Sequence, residues 1–250
     1  MADSFYCEPR RARVPSSGRL TEAMAVAEEF ASRFRRRGVV GVVFLGALAR
    51  RYFDKHSDID IVVFKRKGVR LGVPRERELE YKGFLVDYEV RDYEDELRRP
   101  WSMEERWTFS HALIHYDPRG EVAKLLKRKV PLKEGERRRL LRESLSWAAW
   151  YGWDFADSWV RRGDPASAHY CVTVALSLLV KALFLLNGQL VPPDKWLLRE
   201  AAKLGMLPPN FAEIVREALL VRDLTREELE RRKAAVAELR AWLEASAAQP

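Results

Sequence analysis

Asp58 and Asp60 flank Ile59 at the start of an apolar run, and Ile59, Ile61 and Val63 alternate with Asp58, Asp60 and Val62. In a strand, that period of two puts both carboxylates on one face and the isoleucines on the other. Two like charges so placed resist joint ionisation unless a cation sits between them, and a hard divalent ion such as Mg²⁺ is the usual partner. A third carboxylate would complete the two-metal clamp that serves phosphoryl and nucleotidyl transfer. Asp87, isolated in the apolar run FLVDYEV, is the candidate, with Glu89 on the same face as the reserve.

An Asp-x-Asp pair alone more often marks an exposed strand face than a metal site. Its context here is longer. An apolar run at 39–45 ends at Gly46, and Asp58 follows at the head of a second such run. A glycine there lets backbone N–H groups approach a phosphate closely, and the residues after it are expected to begin a helix whose N-terminus favours anions. Arg50 and Arg51 are placed to meet phosphate, whereas Lys65, Arg66 and Lys67, just past a strand, read as solvated surface.

Gly46-Ala47-Leu48-Ala49-Arg50, then Ser57-Asp58-Ile59-Asp60-Ile61, then Asp87, resembles the signature of the DNA polymerase beta-like nucleotidyltransferase superfamily, over roughly residues 20 to 130. The resemblance implies an enzyme moving a nucleoside monophosphate from a nucleoside triphosphate, expected to be ATP, to a hydroxyl of an unidentified small-molecule or protein acceptor, with release of pyrophosphate. It implies Asp58, Asp60 and Asp87 as catalytic residues and as ligands of two Mg²⁺ ions, for which Mn²⁺ can substitute. It also assigns Gly46, Ala47, Arg50 and Ser57 to the nucleotide. The family's serine is Ala47 here, a loss of one hydrogen bond of about 1.5 to 3 kcal/mol when the partner is charged.

The stretch LSLLVKALFLLNGQLVPPDKWLLREAAKL resembles the C-terminal domain of the streptomycin/spectinomycin-type aminoglycoside nucleotidyltransferases and of uncharacterised prokaryotic two-domain relatives. That resemblance adds Lys181, inside an apolar helix, and Lys195, at the head of the next, as nucleotide-binding residues. A buried ammonium needs a partner, for which a phosphate, Asp154 or Asp157 is expected. The acidic base of the antibiotic enzymes would fall at Cys171, so antibiotic modification is not carried over. Asp154, Asp157 and Asp164 are the acids left to deprotonate an acceptor, and Asp164 is more simply a helix cap.

The elements that must position these residues follow from pattern. With 250 residues, 47% hydrophobic and 33% charged, the chain can bury a substantial core and is expected to split in two. Residues 1–19 read as a basic flexible tail, 20–130 as an α/β nucleotidyltransferase domain built on a small mixed sheet with helices, and 134–246 as an all-α up-and-down helical bundle. The first domain is read as a helix at 21–36 capped by Thr21, strands at 39–45, 59–65 and 83–90, a charged connection at 66–82, a polar helix from Asp92, and a strand from Phe109 to Tyr116. In the second, one long helix carries Leu141, Leu145, Ala148, Phe155 and Trp159 and ends near Gly163. Asp164-Pro165 starts the next, Asn187-Gly188 stops it, and Thr225-x-x-Glu228 caps the last.

No run reaches the roughly 20 apolar residues of a membrane span, and no signal-length apolar stretch opens the chain; a cytoplasmic location without membrane contact is the expectation. Cys7 and Cys171 support neither a disulfide framework nor a thiolate zinc site, and Cys171 reads as core filler. His111 and His115 would share a strand face but lack a third ligand, and Arg162-x6-His169 only superficially matches a helical ribonuclease motif. Residues 1–130 hold 27 bases against 21 acids, the remainder 18 against 16, so the basic excess travels with the proposed nucleotide domain. Alternative readings are a catalytically impaired nucleotide-binding regulator, a toxin-antitoxin component with a helical partner, and an RNA-modifying transferase, nucleic acid being the less favoured acceptor. Exposed apolar surface on the first bundle helix would favour a homodimer.

Overall fold

A computed structural model describes residues 17–248. The described residues up to Pro131 form one compact unit and those from Leu132 onward a second.

The first unit is built on a five-stranded mixed sheet. Its strands are β1 (Val39–Phe44), β2 (Ile59–Lys65), β3 (Glu76–Tyr81), β4 (Phe84–Asp92) and β5 (Leu113–Tyr116), in the order β3-β4-β2-β1-β5. Among the described strands β2 and β4 run parallel and the other neighbours antiparallel. Helix α1 (Ser17–Ser32) covers one face, where Phe30 and Phe34 meet Val42, Phe44, Ile59, Ile61, Val63, Val86 and Tyr88. The other face packs Val43, Val62 and Phe64 against Tyr93 of α3 (Tyr93–Arg98), Phe109 of α4 (Met103–Phe109) and Leu125 of α5 (Glu121–Lys129), with Trp101 between α3 and α4. Covered on both faces, β1 and β2 are near-continuous apolar runs.

Four expectations for this unit need correction, the first being Lys65, read as solvated surface but buried and paired with Asp92. The tail expected at 1–19 lies outside the described residues as far as 16, but residues 17–19 belong to α1, which starts before Thr21; this extra turn sets Leu20 against the core and Arg19 over the Phe84 ring, 4.9 Å from its centroid. The charged connection at 66–82 contains β3, an edge strand of sequence ERELEY. The strand expected from Phe109 begins only at Leu113. A capping box explains the last point: Ser102 Oγ accepts from Glu105 N and Glu105 reaches back to Ser102 N, which commits the next residues to α4.

The second unit is all helix: α6 (Glu134–Ala149), a π-helical turn (Trp150–Phe155), α7 (Ala156–Arg161), α8 (Pro165–Leu186), α9 (Asp194–Ala201), α10 (Phe211–Leu219) and α11 (Arg226–Ala247). The single helix expected to end near Gly163 is therefore interrupted by a wider turn. Gly152 lies in that turn against α8, where a Cβ would stand 3.3 Å from the Ala175 methyl. Asp164 caps α8 and Thr225 caps α11.

Helix α8 is long and apolar enough to cross a membrane by length and composition, contrary to the sequence expectation, but 61% of its apolar window is buried inside the unit, as befits a bundle's central helix. His169, on α8, is buried with Arg232 of α11. Arg232 donates to His169 Nδ1 (3.0 Å), His169 O (2.9 Å), Ala218 O (2.7 Å) and Thr173 Oγ1 (2.7 Å), so His169 carries its hydrogen on Nε2, 3.2 Å from Thr225 O. That role is structural. Arg162 instead stacks on Trp159, which removes the ribonuclease-like pairing.

Candidate active site

The parallel register of β2 and β4 sets Asp60 directly opposite Asp87. Paired residues in a sheet point to the same face, so these carboxylates stand side by side on the face opposite α1, with Asp58 one pleat earlier at the mouth of β2. The carboxylates of Asp58 and Asp87 have no hydrogen bond or ion pair among the described residues. Glu89, the reserve acid, is engaged by Arg91 at 2.6 Å. Asp87 is therefore the freer third acid.

Negative charge gathers around it. Register brings Glu78 of β3 opposite Asp87 and Glu76 opposite Glu89. Desolvation first, and then the charges of Asp58, Glu78, Glu89 and Glu76, push the Asp87 carboxyl above the usual aspartate range. Among the described residues no three His, Cys, Asp or Glu side chains form a group that could hold a metal ion by themselves.

Gly46 follows β1 with φ +57° and lies against Asp60: a Cβ there would be 2.9 Å from Asp60 Cγ and closer still to Oδ2. Leu45 N donates to Asp60 O at 3.0 Å, locking the glycine turn to the head of β2. Helix α2 (Gly46–Ala49) is a single turn, ended by Arg51 at φ +60°. The helix expected from Ala47 onward is thus too short to add an N-terminal field. Ala47 is buried in the core on the α1 side.

Arg50 is committed to Trp107 of α4: its guanidinium lies 3.5 Å from the ring centroid and donates to Trp107 O at 2.8 Å. Ser57 is also committed. Its hydroxyl donates to Asp54 Oδ1 and accepts from Asp54 N, both at 3.0 Å, while His56 N donates to the same carboxylate at 2.8 Å. This closed loop immediately precedes Asp58 and occupies the Ser57 hydroxyl. Trp107 and Glu78 beside these residues carry only weak sequence signals, the capping box ahead of Trp107 and the alternating glutamates of ERELEY.

Lys181 and Lys195 belong to the helical unit. Lys181 is two-thirds buried, and its ammonium pairs with Asp194 at 2.9 Å, not with Asp154 or Asp157. Asp157 instead holds Lys233 at 2.7 Å. Lys195 is exposed in the first turn of α9. Cys171 is a free, buried thiol, and Asp164 is the cap of α8. His111 lies in the turn after α4, while His115 on β5 stacks on Phe44 and meets Arg35 at 2.9 Å. The two histidines do not share a strand.

No protein-family profile matches the chain, and no curated protein does. Among solved structures, the chain is similar to a nucleotidyltransferase-like protein from Exiguobacterium sibiricum 255-15, at 19% identity and a TM-score of 0.49, over 91% of this chain and 75% of that one.

Proposed function

We propose that the chain is a divalent-metal-dependent nucleotidyltransferase whose reacting centre is formed by Asp58, Asp60 and Asp87. The observation that carries this reading is the register of Asp60 against Asp87 beside a glycine turn packed on the Asp60 carboxylate. Mg²⁺ typically keeps several waters and takes one or two carboxylates together with substrate phosphates, so carboxylates without protein partners suit it better than a closed cage. Asp58 and Asp87 are such groups, and the raised Asp87 carboxyl reports a place where added positive charge is favourable. A bound divalent ion would supply charge neutralisation on the triphosphate.

The chain's own residues do the rest. Gly46, lacking a side chain, lets the Asp60 carboxylate pack against the turn, and the Asp54–Ser57 loop precedes Asp58 directly. In the reaction proposed, an acceptor hydroxyl oxygen forms a bond to the α-phosphorus as the bond to the β-phosphate oxygen breaks. Pyrophosphate leaves with the electron pair and the hydroxyl proton passes to solvent. Geometry and charge placement supply the acceleration. The triphosphate is taken to be ATP and the acceptor a hydroxyl-bearing small molecule or protein.

The test is pyrophosphate release from each nucleoside triphosphate in Mg²⁺ over a panel of hydroxyl acceptors. Asp60→Asn should abolish release while leaving the circular dichroism spectrum unchanged; a fully active Asp60→Asn would refute the assignment. A second reading, nucleotide binding without turnover, is favoured by one observation: residue 47 is a buried alanine and offers no hydroxyl.

A further inference from the structure

On the α1 side of the sheet, loop 69–75 separates two cavities that share Gly72, Val73 and Pro74 in their walls. One, of about 250 Å³, has Phe30, Phe34 and Tyr88 for a floor and Arg33, Arg36 and Arg77 at its rim. The other, of about 400 Å³, is bordered by Lys65, Arg70 and Arg75. Among the described residues, no carboxylate lines either cavity.

The six cations are not equally committed. Arg36 donates to Leu71 O and so holds the loop, and Arg33 stacks on Phe30 and Tyr81. Lys65 and Arg75 share the single carboxylate of Asp92, which leaves one positive charge in excess. Arg70 and Arg77 are exposed, and their guanidinium groups have no hydrogen-bond or ion-pair partner among the described residues. The nearby acid on α1, Glu29, is already taken by Lys82 and by the Tyr81 hydroxyl. Past Arg75 the surface turns acidic, with Glu76, Glu89 and Asp95 around the next cavity, and this bounds the basic patch.

We propose that loop 69–75 and its two flanking cavities bind a chain of phosphates, supplied by the backbone of a single-stranded nucleic acid or by inorganic polyphosphate. One phosphate would need a single cluster of guanidinium groups; cations on both sides of a loop match an anion that extends across it. Arginines favour this chemistry because their planar donors meet phosphate oxygens two at a time. The aromatic rings of the floor are buried, so they cannot stack on bases, and recognition falls on the phosphates without regard to sequence. The patch lies on the opposite face of the sheet from Asp58, Asp60 and Asp87, and the inference stands apart from the transfer reading.

The test is fluorescence anisotropy of the full chain with a labelled oligouridylate of roughly 12 nucleotides, repeated over a salt series, and with inorganic polyphosphate as competitor and as direct ligand. Binding that falls with salt is expected. Arg70→Gln/Arg77→Gln should weaken it about tenfold and flatten the log–log salt slope by about 1.4, the value for two lost single-strand contacts. Lys124→Gln/Lys127→Gln on α5 should leave both unchanged. Oligouridylate binding without competition by polyphosphate identifies nucleic acid as the source, and the reverse identifies polyphosphate. A wild type that binds neither, or equal losses in the two double variants, would overturn the proposal.

Discussion

Gly46 and Asp60 touch: residue 46 can be nothing larger than glycine unless the Asp60 carboxylate moves, because a Cβ would stand 2.9 Å from Asp60 Cγ and nearer still to Oδ2. The backbone at Gly46 also has φ +57°, where an L side chain costs roughly 1 to 2 kcal/mol. Gly46→Ala should therefore lower stability by about that amount and, by pushing a flexible carboxylate aside, weaken nucleotide binding in Mg²⁺ by about tenfold or more. Thermal denaturation and calorimetric titration of the same preparation separate the two effects. Unchanged binding by the folded variant would remove Asp60 from the site.

Acid should loosen the corner where α4 meets the sheet. Burial alone would raise the Glu105 carboxyl, but hydrogen bonds from Arg99 and from Ser102 N, with the charge of Arg91, hold it at about 2 instead of 4.5. A depressed carboxylate stabilises the fold above its unfolded value, and that contribution is lost as pH falls from about 4.5 to about 2. For a partly exposed group the amount is roughly 1 kcal/mol after solvent screening. Glu105→Gln should thus be less stable than wild type near neutral pH, with the gap closing through that window. Equal melting temperatures at neutral pH would contradict it.

Arg232 ties three helices of the second unit together through neutral partners, the carbonyls of Ala218 and His169 and the hydroxyl of Thr173. Arg232→Met keeps most of the bulk and removes every donor, leaving buried acceptors unpaired. The expected cost is about 2 to 4 kcal/mol, read as a lower urea midpoint for the helical unit. A change below 0.5 kcal/mol, roughly the scale of a neutral surface substitution, would mean that water or another donor replaces the guanidinium.

How legible this was from sequence differed by element. The buried strands β1, β2 and β4 are legible as apolar runs, and the alternation of Asp58 and Asp60 with isoleucine predicts a common face for the two carboxylates. Opposition to Asp87 needed the parallel register, which no local pattern encodes. Strand β3 was hidden because an edge strand has little to bury, so its sequence reads as polar. Its trace was Lys82-Gly83, a two-residue turn with φ of +52° and +77°. The π turn at Trp150–Phe155 escaped because one wide turn shifts a helical stripe without breaking it. Arg50 on Trp107 and Lys181 with Asp194 are side-chain choices made only once the helices pack.

The carboxylates of Asp58, Asp60 and Asp87 are tested most directly by calorimetric titration of each nucleoside triphosphate in Mg²⁺ into the wild type and into Asp58→Ala/Asp60→Ala. Binding by the wild type that disappears in the double variant, with both proteins equally folded, is the predicted result. Equal binding by the two, or none by a well-folded wild type, would contradict the assignment of metal and nucleotide to this sheet face.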